Sequence, residues 1–147
     1  MTVVVGVDGS PDSYTAIRLA WEEARLRGVQ LIAVMAYGSE MALGAPAARP
    51  LTTPHPAGED QALTQSTLRS VVKAAVGADE SAVETRVVVG APGRVLVETA
   101  RAADAQMIVL SARKEGTPSR LLGAVSQYVL RNAPCPVLVV PEASKER

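Results

Sequence analysis

The residues of this chain that could do chemistry fall in a few places: the polar loop from Ser111 to Ser126, the carboxylates Asp8 and Asp12, the lone His55 and the lone Cys135. The loop carries Arg113, Lys114, Gly116 and Arg120 between a strand-like run, Met107 to Ser111, and a helix-like run, Leu121 to Arg131, with Gly123 close to the helix start. Free amides, a helix dipole and local positive charge beyond a buried strand are what a phosphate chain requires. A solvated basic loop has the same composition, so both readings stand. Neither a Walker A sequence nor G-x-G-x-x-G is present, and Gly6-x-x-Gly9 and Gly90-x-x-Gly93 read as tight strand-to-helix turns.

Asp8 directly follows the first apolar run, at the edge of a sheet where ligands bind, and is equally open to a ligand contact or an Asx-type turn. Asp12 favours the start of the following helix electrostatically. Neither has an obvious partner for acid–base work. His55 lies between two prolines with no orienting group in view, so no triad and no catalytic residue is assigned. His55 and Cys135 are single and distant, without ligand spacing, and no metal site is expected. Cys135, between Pro134 and Pro136, reads as a small buried hydrophobe.

These groups must be positioned by a frame, and the frame is legible. Thr2 to Val7 is an almost continuous apolar run, which marks a strand covered on both faces. Ser10 is placed to cap a helix with Pro11 at its first position. That helix shows Ile17, Ala20, Trp21 and Ala24 on one stripe and ends at Gly28. Leu31 to Tyr37 is the next buried strand, completing a right-handed βαβ unit. Residues 38–58 contain four prolines and three glycines without periodic apolar positions, and read as a long Pro/Gly/Ala-rich loop, disordered or acting as a flap. A second helix follows from about Glu59 to Val76, with Leu68, Val71, Val72 and Ala75 on its stripe. Val83 to Val89, Met107 to Ser111 and Pro136 to Val140 complete the strands. Pro92 to Ala103 and Leu121 to Arg131 complete the helices, and residues 142–147 form a solvated tail. Five strands alternating with four helices predict an α/β fold: a single domain over residues 1–147, with an open five-stranded parallel sheet and helices on both faces, of Rossmann-like type.

Composition narrows the function classes. Fifteen basic and fifteen acidic residues cancel, so no global field draws in nucleic acid or an anionic membrane, and neither is expected as a partner. One cysteine rules out an intramolecular disulfide framework and fits a reduced setting. With no leader-like start and no apolar run of membrane-spanning length, a cytoplasmic location is expected.

Three blocks then point to a family. Val4-Val-Gly-Val-Asp-Gly-Ser10, Val88-Val-Gly-Ala-Pro92, and Ile108-Val-Leu followed by Leu122-Gly-Ala-Val-Ser-Gln-Tyr-Val-Leu-Arg-Asn-Ala-Pro-Cys-Pro-Val-Leu-Val-Val140 resemble the universal stress protein (UspA) family. The resemblance implies a five-stranded parallel sheet, homodimers formed largely through the last strand, here Pro136, Val137, Leu138, Val139 and Val140, and a split into ATP-binding and non-binding branches. The binding branch is marked by G-x2-G-x9-G-[ST]. On this chain that pattern falls on Ser111, Lys114, Gly123 and Ala124, so three of the four positions differ, and eight residues rather than nine separate Lys114 from Gly123. By resemblance the adenosine side of a pocket involves Gly6, Val7, Asp8 and Ala36, and the phosphate side Ser111, Lys114, Gly123, Ala124, Val125 and Ser126.

Losing a hydroxyl at position 124 removes a hydrogen bond to a charged group, about 1.5–3 kcal/mol. The expectation is therefore a dimeric stress-response interaction module with a degenerate nucleotide pocket, in which ATP binds weakly or not at all. The alternative is a sensor of ATP, AMP or cyclic AMP in which Arg113 and Lys114 rebuild the phosphate loop. Slow ATP hydrolysis is an enzymatic reading with no identifiable base or nucleophile.

Overall fold

The computed structural model describes residues 1–38, 57–112 and 123–141, of which 57–60 by backbone alone. Of the expected loop at 38–58, residues 39–56, His55 among them, lie outside the described residues, as do Arg113, Lys114, Gly116, Arg120 and the 142–147 tail; its last two residues, Ala57 and Gly58, instead begin a helix.

Strands β1 (Thr2–Gly6), β2 (Gln30–Tyr37), β3 (Val83–Val89), β4 (Ala105–Ser111) and β5 (Val137–Val140) form one parallel sheet in the order β3-β2-β1-β4-β5. Helices α1 (Asp12–Arg27), α2 (Ala57–Val76), α3 (Pro92–Ala102) and α4 (Ala124–Asn132) connect them, with a short 3-10 segment, Gly77–Ala82, between α2 and β3.

The unbroken valine run of β1 is explained by its two covered faces. Val3 and Val5, with Leu31, Ala33 and Val109, pack against Ile17, Ala20 and Ala24 of α1 and Leu68 and Val72 of α2. Val4, with Ile32, Val34, Ile108 and Leu110, packs against Val95, Leu96, Val97 and Ala100 of α3 and Val129 of α4. Alternate residues of one strand thus fill two separate cores, and each fully buried branched side chain stabilises the fold by about 1.5–3 kcal/mol.

Several boundaries differ from those read in the sequence. Strand β4 starts at Ala105 rather than Met107, because Ala105 still pairs with Thr2 of β1 across a register shift that leaves the polar Gln106 without a partner in that ladder. Helix α4 has Gly123 as its N-cap, and Leu121 and Leu122 lie outside the described residues. Tyr128, which the spacing of Val125, Tyr128 and Val129 puts on the apolar side of α4, is 39% exposed and lays its ring over Gly93, where an added Cβ would stand 2.9 Å from its Cδ1. Helix α1 closes as expected: Gly28 takes φ 67 and its amide donates to Arg25 and Ala24 carbonyls. Cys135 is half-buried rather than buried, and desolvation pushes its thiol up from the ordinary value.

Candidate functional site

Strand order reverses direction about β1: α1 carries the chain from β1 to β2 on one side, while β4 pairs with β1 on the other. The strand ends diverge at such a switch point and leave a crevice beyond their C-termini. Here a cleft of about 510 Å³ opens between the β1–α1 turn, the end of β4 and the start of α4. That size suits a small-molecule site. Gly6, Val7, Asp8, Ala36, Ser111, Gly123, Val125 and Ser126 all line it, whereas Ala124 is exposed and outside the lining.

The β1–α1 turn is held by Asp8. Its Oδ1 accepts the backbone amide of Ser10 at 2.9 Å and the hydroxyl of Ser13 at 2.8 Å, and the amide of Asp8 donates to Ser13 Oγ at 3.2 Å. Ser13 is buried, so this exchange fixes the turn from inside. Gly9 takes φ 84, a conformation that a side chain would strain. Gly6, in contrast, has ordinary φ and serves close packing, since an added Cβ would lie 2.7 Å from Leu96 Cδ1. The two glycines that looked like one turn signal therefore have separate reasons.

Both readings of Asp8 remain compatible with the geometry, because the Asx-type turn uses Oδ1 and, among the described residues, Oδ2 has no donor. The expected capping by Ser10 is not made. Pro11 occupies the N-cap of α1 in a helical conformation, and no side chain caps the helix. Ser10 Oγ is instead buried without a hydrogen-bond partner among the described residues, while Ser10 lines the cleft. Such an orphaned hydroxyl costs about 1–3 kcal/mol.

On the opposite wall, Gly123 caps α4 in an extended conformation with no side-chain capping bond. The first-turn amides of Ala124, Val125 and Ser126 have no acceptor among the described residues and carry the positive end of the helix dipole. They fit an anion, but only one: among the described lining residues there is one carboxylate and no lysine, arginine or histidine. The remaining walls are apolar, from Val7, Val34, Val95, Leu96, Leu110 and Val125. No group of three or more potential metal-ligating side chains occurs among the described residues, and no described helix is long and apolar enough to cross a membrane.

Sequence reasoning missed the α3 side of the cleft. Pro92, Val95 and Leu96 line it, yet they read as an ordinary helical stripe. The block Val88 to Pro92 was the available signal, since it places the start of α3 at a strand end.

The sequence profile of the universal stress protein family matches residues 1–141. Among characterised relatives, universal stress protein Rv2005c of Mycobacterium tuberculosis is 35% identical over 147 residues, covering 96% of this chain and 45% of the relative. Universal stress protein Rv2623 of the same species is 32% identical over 146 residues, covering 94% and 46%. The chain thus spans less than half the length of these relatives. Among solved structures, a universal stress protein in complex with cAMP is 31% identical with a TM-score of 0.59, covering 95% of both chains. Another, from Archaeoglobus fulgidus, is 26% identical with a TM-score of 0.63, covering 95% of this chain and 93% of that one.

Proposed function

This chain belongs to the universal stress protein family, and from that membership we propose that it is a dimeric stress-response module whose switch-point cleft is degenerate as an ATP site. The observation that carries the reading is the asymmetry of the cleft: Gly6, Val7, Asp8 and Ala36 all line it, while Ser111 in the lining and Ala124 beside it stand where ATP-binding relatives have a glycine and a hydroxyl. Among the described lining residues, a triphosphate would meet the amides of one helix start and no basic side chain. The reading places the module in the cytoplasm and assigns it no reaction.

A second reading is favoured by the relative solved with cAMP at 31% identity. On that reading the cleft senses an adenine mononucleotide, AMP or cyclic AMP, whose single phosphate is met by the α4 amides. Titration calorimetry with ATP, ADP, AMP and cyclic AMP tests both. Affinity for the mononucleotides equal to or above that for ATP is the expected result. ATP binding at least tenfold tighter than AMP binding would remove the degenerate-site reading.

Dimerisation is proposed through β5, the edge strand beside β4. The amides of Ile108 and Ala112 donate to the carbonyls of Pro136 and Val140, so the even-numbered residues of this segment face β4. By the alternation of a parallel ladder, Val137 and Val139 turn their peptide groups outward, where a second chain can pair with them. Val139→Pro removes an outward donor without touching the β4 ladder. Light scattering is expected to show a dimer for the native chain and a folded monomer for the variant. A native monomer at micromolar concentration would sink the proposal.

A further inference from the structure

We propose that Ser10 is a ligand-contacting, specificity-determining residue of the switch-point cleft, where its hydroxyl and the open oxygen of Asp8 together meet a paired donor and acceptor on a bound nucleoside. This rests on the nucleotide reading of the cleft given above. Its basis is a hydroxyl without a structural task. Ser10 lines the cleft, its Oγ is buried, and among the described residues it has no hydrogen-bond partner. Buried polar atoms are nearly always satisfied, and an orphan weakens the unliganded fold. The helix start does not need it: Pro11 occupies the N-cap, and Ser13 rather than Ser10 supplies the hydroxyl that braces Asp8.

The neighbourhood says what would satisfy it. Asp8 Oδ1 already accepts the Ser10 amide and the Ser13 hydroxyl, which fixes the carboxylate in place and leaves Oδ2 as an acceptor. A serine hydroxyl both donates and accepts, and it moves between staggered positions without backbone change. The pair therefore matches a ligand edge carrying a donor beside an acceptor. A phosphate does not match, because it offers no donor and Asp8 repels its charge. A nucleoside has two edges of this kind, the amino and ring nitrogens of adenine and the vicinal hydroxyls of ribose.

The test compares the native chain with Ser10→Ala by calorimetry against AMP, deoxy-AMP and IMP, and by thermal unfolding of both proteins without nucleotide. The variant is expected to bind AMP about three- to tenfold more weakly, the worth of one neutral hydrogen bond, while its unliganded melting temperature is unchanged or higher. If the contact is to the base, the loss disappears with IMP, whose edge reverses donor and acceptor. If it is to the sugar, the loss shrinks with deoxy-AMP. Equal AMP affinity of the two proteins overturns the role of Ser10 and leaves the nucleotide reading standing. A lower melting temperature in the variant makes Ser10 a structural residue and overturns the proposal, as does an equal loss with all three ligands. Failure of the native chain to bind AMP overturns the nucleotide reading and this inference with it.

Discussion

Ile108→Ala is expected to destabilise the protein by about 2–5 kcal/mol, the range for truncating a buried aliphatic side chain where the site cannot collapse. Ile108 is fully buried at the middle of β4, in register with Val4 of β1 and Val137 of β5, and belongs to the core under α3 and α4. Sheet neighbours on both sides and helices above leave little freedom to close the void. Total stabilities of small domains are about 5–15 kcal/mol, so this one change removes a large share. Urea denaturation checks it: the midpoint falls while the slope is preserved. A loss below about 1 kcal/mol would mean that the α3–α4 face is not packed as described.

Ala124→Ser is expected to raise ATP affinity by about tenfold or more: position 124 lies outside the lining but between the cleft-lining Gly123 and Val125 at the start of α4, so a hydroxyl there is within reach of phosphates lying along that helix start, and a hydrogen bond to a charged group is worth about 1.5–3 kcal/mol. The substitution is sterically free, since Ala124 is exposed at the first turn of α4. Serine is a slightly poorer helix former than alanine, a cost of about 0.5 kcal/mol that falls on stability and not on binding. Calorimetry with ATP and AMP in parallel reads the effect, and the gain should be larger for ATP. Unchanged ATP affinity would show that the missing hydroxyl is not what weakens the triphosphate grip.

The strands were legible because doubly covered strands must be continuously apolar, and Val3 to Val5 and Leu31 to Val34 are. Helix stripes such as Leu68, Val71 and Val72 were equally plain. What escaped was structure with no hydrophobic period. The 3-10 segment Gly77–Ala82 has no buried residue, and the first turn of β4 is polar at Gln106. In the site, Asp8 was found because it follows a strand end directly. Ser10 was misjudged because an N-cap preference is local, whereas the Asp8–Ser13 exchange across the turn is decided by three-dimensional closure. Val95 and Leu96 were overlooked for the opposite reason: a residue that serves core and cleft at once has the sequence signature of the core alone.

That double service has an evolutionary consequence at Gly6. A methyl group there would press on Leu96, which is 4% exposed and lines the cleft. A drift from glycine to alanine would therefore register first as a narrowed ligand space and only second as a loss of stability. Positions 6 and 96 are thus coupled through one contact, and a larger residue on β1 is best accommodated by a smaller one on α3.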